Sequence, residues 1–195
     1  MRLPGNDVLV CNHLGELQRD YADVKEFSVS PPDTGQGLVL YLKERAFLDE
    51  KSNLMRTYLV RLRRTNECVG YFSLKTGLVS VNEEDTKQGI TFDTVPGIEL
   101  ANFAVNHTFT EKYHVRGLGY LLFSDLIAPF IKEHAKTLGI YMLYIFALPY
   151  PQLIKTYTNY GFKRLSPKDE EQLHLRIKPA YDESCIFMYQ LLDEM

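Results

Sequence analysis

The residues best placed for chemistry in this chain of 195 are a pair of glycines. Gly117-Leu118-Gly119 follows a strand-like run, Ile98–Asn106, and opens a long apolar-periodic segment that reads as a helix. Glycine lets the chain turn sharply and lets a ligand approach the backbone. The first amides of a helix have no partner inside it, and the helix dipole is positive at that end. Together they can hold a phosphate with few basic side chains, and Arg116 beside them adds charge. A Gly-x-Gly pair alone is often only a tight turn, so the flanking elements carry the weight. Other phosphate motifs fit worse. The nucleotide P-loop needs a Gly-Lys-Ser/Thr ending, and the dinucleotide fingerprint needs a small residue where Leu122 stands. The sequence has no Gly-x-Ser-x-Gly elbow. Its three cysteines, Cys11, Cys68 and Cys185, are far apart, and its five histidines lack metal-ligand spacing.

The elements that must position this loop follow from periodicity. The chain to about Ser28 is weakly patterned and has room for a strand and a short helix. Ser30–Gly35 is a turn-rich break, and Leu38–Leu54 has helical spacing at Leu38, Leu42, Ala46 and Leu48. Thr57–Arg63 and Cys68–Lys75 alternate as two strands around a short polar link, which predicts an antiparallel hairpin. Val81–Pro96 reads as a loop, Ile98–Asn106 as a strand and His107–Arg116 as a loop. Gly117–Leu138 is a long helix that Pro129 should bend, and Gly139 closes it. Ile140–Leu148 suits a fully buried strand, Pro151–Tyr160 a short helix, and Phe162–Leu165 and Cys185–Leu191 two final strands. Ser166–Ser184 is a polar insertion. The expected fold class is α/β in the α+β sense: a mixed, mostly antiparallel central sheet with helices on both faces, in one domain over residues 1–195.

Composition narrows the function. Apolar content of 45% supports a core without disulfides or metal. Net charge is −3, so nucleic acid is not the expected main partner, and Arg61, Arg63 and Arg64 read as a solvated face. The longest apolar run, Ile140–Leu148, is far short of the roughly 20 residues of a membrane-spanning helix. Met1–Leu14 lacks a secretory pattern, which leaves a cytoplasmic protein as the expectation.

At three places the sequence resembles the GNAT superfamily of N-acetyltransferases. That family carries Gln/Arg-x-x-Gly-x-Gly/Ala after a sheet strand, matched here by His114-Val115-Arg116-Gly117-Leu118-Gly119 and followed by Tyr120-Leu121-Leu122. The strand Ile98–Val105 is similar to the family's central strand, and Leu153–Phe162 to its Tyr-x-x-x-Gly-Phe signature. The resemblance spans about Thr57–Leu191, with the cofactor-binding core at about residues 98–165. His114 departs from the usual Gln or Arg, and Tyr150 from an Asn that often contacts the coenzyme.

The resemblance implies acetyl-coenzyme A as co-substrate, held by the segment His114, Val115, Arg116, Gly117, Leu118, Gly119 and Tyr120. It implies direct attack of an amine on the thioester. A free alkyl ammonium has a pKa of about 10.4 and must first lose a proton. Glu99 stands where several members place the general base, and Tyr157, four residues before Gly161, where they place the acid for the leaving thiolate. The backbone N–H near Ala104 or Val105 is the oxyanion donor on the same basis. The rings of Tyr113, Tyr120, Tyr141, Tyr144 and Tyr150 read as core or rim aromatics and receive no role. The expected acceptor is the amine of a small molecule, amino acid derivative or peptide, and a homodimer is compatible with this. Two alternatives stay open. Leu38–Leu74 is also similar to GNAT-type toxins that acetylate aminoacyl-tRNA, although those generally lack a carboxylate base. The other is a non-catalytic acyl-coenzyme A-binding module.

Overall fold

The antiparallel hairpin expected from alternating apolar residues is present as β2 (Arg56–Leu62) and β3 (Cys68–Ser80). In the computed structural model the structure describes residues 5–30, 32–80, 94–177, 182–193 and 195. The remaining strands are β1 (Leu9–His13), β4 (Thr94–Val105), β5 (Met142–Ala147), β6 (Lys163–Arg164) and β7 (Ile186–Leu191). They form a seven-stranded sheet in the order β1-β2-β3-β4-β5-β7-β6. The β4–β5 pair is parallel, while β1–β2, β2–β3, β5–β7 and β6–β7 are antiparallel. This is the mixed, mostly antiparallel GNAT-like sheet that the sequence predicts. Most of the loop expected over Val81–Pro96 lies outside the described residues, but β4 already begins at Thr94.

The chain divides into two compact units. The first runs to Lys75 and resumes over Leu100–Phe130. Its helices are α1 (Asp20–Glu26), α2 (Pro32–Leu40), α3 (Ala46–Lys51), α4 (His107–Tyr113) and α5 (Leu118–Leu122). Helices α2 and α3 are joined by a π-helical turn, Tyr41–Arg45, and so realise the helix expected over Leu38–Leu54. Leu42, Ala46, Leu59, Tyr71 and Ala104 build the core on that side of the sheet. On the other side Tyr58 stacks on its register partner Phe72 at 4.8 Å and meets Phe130 edge-on. Both faces of β2 are therefore covered, which explains why Thr57–Arg61 is buried without interruption.

One expectation fails here. Arg61 is not on a solvated face; its side chain is fully buried. A bulge between Val60 and Arg61 shifts the register against β3. The guanidinium lies 2.6 Å from Asp20 Oδ1 and 2.6 Å from Asp23 Oδ2, and it also donates to Asn12 Oδ1. Asp20 accepts the amides of Gly15 and Leu17 in addition. A buried cation needs this degree of pairing to offset its lost hydration. Arg63 and Arg64 are exposed, as expected.

The second unit takes in Thr76–Glu99 and the chain from Ile131 onward. Val79, Met142, Tyr144, Leu173 and Phe187 form its core. The helix expected over Gly117–Leu138 passes through a π-helical turn, Phe123–Ile127, into α6 (Ala128–Leu138). Pro129 lacks the N–H of the regular ladder and its ring crowds the carbonyl four residues back, which accounts for a widened turn there. The polar insertion after Ser166 contains a further helix, α8 (Pro167–His174), whose Ser166 hydroxyl caps the Asp169 amide. Helix α7 (Pro151–Asn159) starts on a proline at its first turn, as expected.

Candidate active site

In the first unit the segment predicted to hold phosphate is a helix-to-helix turn rather than a long loop. The expected loop His107–Arg116 is mostly helix α4, and His114 closes it in the left-handed conformation, φ 52°. Its amide and that of Val115 both bond the Thr110 carbonyl. Gly117 then takes φ 72° and caps α5, and its carbonyl accepts the Leu121 amide at 3.3 Å. A Cβ at Gly117 would meet nothing within 4 Å, so the backbone, not space, requires glycine there. Residues His114 to Gly117 are exposed, Leu118 and Gly119 are half-buried, and Tyr120 is exposed. Leu122 is fully buried and anchors the turn. The first-turn amides thus start from an exposed bend with the Arg116 side chain in solvent beside it. This fits an anionic ligand.

The end of β4 lies in the same unit. The Asn106 amide bonds the Val69 carbonyl at 2.8 Å, and its side-chain NH2 bonds the Cys68 carbonyl at 3.0 Å. Ala104 is buried in the core and Val105 is half-buried. Tyr41, Thr57 and Ser73 form a buried hydroxyl row on this side, with Thr57 Oγ1 2.9 Å from Ser73 Oγ.

Glu99 and Tyr157 belong to the second unit. The β4–β5 ladder takes in Gly97–Glu99 against Met142–Tyr144, so Glu99 is the register partner of Tyr144. Glu99 is 8% exposed, and its carboxylate lies beside the Tyr144 hydroxyl. Tyr157 lies on α7, with its ring 5.6 Å from Phe162 and 6.0 Å from Tyr160, edge-on to both. Burial, and then the neighbouring Tyr160, push its phenol above the usual tyrosine range. The phenol therefore holds its proton through neutral pH, the state a general acid needs. Tyr160 sits at the turn, its carbonyl taking a hydrogen bond from the Gln190 side chain. Tyr150 caps α7 through its carbonyl and is exposed.

Sequence reasoning gave Tyr144 no role, yet it lies beside the candidate base Glu99. Tyr113, Tyr120, Tyr141 and Tyr150 are exposed rim aromatics, whereas Tyr144 is 3% exposed. The three cysteines are buried and free. Burial pushes the thiols of Cys11 and Cys68 up to about 12 and that of Cys185 up to about 11, which makes them poor nucleophiles at neutral pH. Among the described residues no group of three or more His, Cys, Asp or Glu is placed to hold a metal ion. Among them too, no helix is long and apolar enough to cross a membrane.

The sheet order matches the GNAT-like fold expected from the sequence. Solved structures with this fold include bacterial toxins, matched over nearly the whole chain. A structure described as a bacterial toxin has a TM-score of 0.69 at 18% identity, covering 98% of this chain and 93% of that one. A mutant of the toxin AtaT, bound to the C-terminus of the antitoxin AtaR and acetyl-CoA, has a TM-score of 0.65 at 17% identity, covering 96% and 95%. AtaT complexed with acetyl-methionyl-tRNAfMet has a TM-score of 0.67 at 15% identity, covering 95% of each. No protein-family model matches the chain.

Proposed function

We propose that this protein is an N-acetyltransferase that moves an acetyl group from acetyl-coenzyme A to an amine. The observation that carries the reading is the exposed left-handed turn at Gly117, opening a helix directly after β4 in a GNAT-like sheet. The amides of Leu118, Gly119 and Tyr120 would hold the pyrophosphate, with Arg116 adding charge and the backbone at His114 and Val115 completing the bend. Glu99 takes the proton of the acceptor ammonium, directly or through a water. The amine nitrogen then bonds to the thioester carbon, with the oxyanion accepted by an amide at Ala104 or Val105. As the C–S bond breaks, Tyr157 gives its proton to the leaving sulfur, and the nitrogen releases its second proton to solvent. The products are an acetamide and free coenzyme A, and solvent restores both side chains.

Two acceptor classes are in play. The AtaT complex with acetyl-methionyl-tRNAfMet, matched over 95% of this chain, supports the amine of an aminoacyl-tRNA. A net charge of −3 and the carboxylate at Glu99 support a small amine or a peptide. The likeness in fold over nearly the full length supports the first and raises it against the ranking drawn from net charge and Glu99. Incubation with labelled acetyl-coenzyme A and a charged tRNA pool, beside a panel of small amines and peptides, separates them. An N-acetylated aminoacyl-tRNA supports the first class, an acetylated small amine supports the second, and an inert enzyme with intact acetyl-coenzyme A binding supports a binding module.

A further inference from the structure

Two glycines on neighbouring strands of the second unit leave room for one tyrosine. A Cβ on Gly77 would land on the hydroxyl oxygen of Tyr144. A Cβ on Gly97 would lie 2.9 Å from its Cε1 and 3.0 Å from its Cδ1. Phe187 packs against the same ring, centroids 5.5 Å apart at 29°, and Phe146 meets it edge-on at 6.0 Å. The ring is thus fixed in a slot whose floor is bare backbone, and the residue is 3% exposed. Its hydroxyl lies beside the carboxylate of Glu99, whose backbone is the register partner of Tyr144 on β4.

We infer that Tyr144 is a positioning residue for the reaction: held in the Gly77/Gly97 slot, it orients the Glu99 carboxylate as a general base. The inference rests on the reading of Glu99 as the base. A phenol used only to fill a core would be replaceable by phenylalanine at no functional cost, and two strand glycines would be an expensive way to seat it. A hydroxyl beside a carboxylate instead has a donor to offer one of its oxygens, which fixes the direction of the other. Burial, and then the Glu99 charge, push the Tyr144 phenol up, so it stays a donor throughout the working pH range.

The other titratable groups on these elements are few. Tyr189 on β7 is the register partner of Tyr144. Helix α8 brings Glu170, which is tied to Arg164 and to the Phe187 amide, and His174, which lies against the Phe146 ring. Lys75 shares its side of β3 with Gly77 by alternation.

The test is the pH dependence of kcat/KM for wild type, Tyr144→Phe, Gly77→Ala, Glu99→Gln and the Tyr144→Phe/Glu99→Gln double variant. The acceptor is the one returned by the screen above, with water as acceptor in parallel. Tyr144→Phe should lower kcat about tenfold across the active pH range, with KM for acetyl-coenzyme A unchanged. Gly77→Ala keeps the hydroxyl but displaces it and should do the same, with thermal melts reporting its fold. On the Glu99→Gln background Tyr144→Phe should add nothing, because the two act as one unit. If Glu99→Gln is slow but Tyr144→Phe follows the wild-type profile, Tyr144 only fills the slot and the inference is wrong. A Glu99→Gln variant with the wild-type profile would overturn the base reading itself, and the inference with it.

Discussion

Gly117 and the Gly77/Gly97 pair both matter to the proposed chemistry, but for opposite physical reasons. Gly117 sits in open space with φ 72°, so only its backbone conformation calls for glycine. Gly77 and Gly97 lie in regular strands, and there the missing Cβ is what counts, because Tyr144 occupies its place. The first kind of glycine shapes a surface that a ligand can reach. The second shapes a cavity that a side chain already fills. A substitution that respects one constraint violates the other, which makes the two regions separable by experiment.

The largest effect is expected at the exposed turn. Gly119→Glu places a carboxylate where the pyrophosphate would approach the first amides of α5, and acetyl-coenzyme A binding should disappear while the melt is kept. Calorimetry showing wild-type affinity in a folded variant would remove the phosphate role from this turn. Next comes the chemistry of the second unit. Glu99→Gln should lower kcat on the order of a hundredfold, most at pH values where the acceptor is protonated. Steady-state kinetics that show no change would make Glu99 a structural carboxylate.

Tyr157→Phe follows, with a fall in turnover of at least about tenfold and little change in stability, against a small kinetic effect for Tyr160→Phe. The Tyr157 ring keeps its contacts with Phe162 and Tyr160 in such variants, so the comparison isolates the hydroxyl. The reverse order would assign the acid to another group. The smallest effects sharpen the contrast between the glycines themselves. Gly117→Ala should cost about 1–2 kcal/mol from the left-handed backbone, and Gly117→Asn less, since asparagine tolerates that region. Gly97→Ala should cost about 1–3 kcal/mol through overpacking, and Gly97→Asn more. Denaturant melts that rank the asparagine variants the other way would contradict the account of the two regions.

The contrast also explains what could be read from the sequence. The Gly117 turn was legible because glycine, apolar periodicity and a preceding strand occur in fixed local order. The hairpin β2–β3 and the buried strand β5 were legible for the same reason: their patterns are contained in short windows. Helix α4 was not, since His107-Thr108-Phe109-Thr110-Glu111-Lys112-Tyr113 is short, polar and without strong caps, and its C-terminal turn depends on His114 adopting the left-handed region. Arg61 misled because a strand cation normally faces water. Its partners Asp20 and Asp23 are some forty positions away in sequence and meet it only through the fold. Tyr144 was hidden in the same way, its role depending on glycines from two other strands.

The central claim is acetyl transfer, and the most direct measurement is a single-turnover reaction of the purified protein with acetyl-coenzyme A labelled in its acetyl group. Mixed with a charged tRNA pool and a set of small amines, wild type should release free coenzyme A and place one labelled acetyl group on an amine, with Gly119→Glu inactive under the same conditions. Label that stays on coenzyme A in wild type, or transfer that is equal in wild type and Gly119→Glu, would contradict the account.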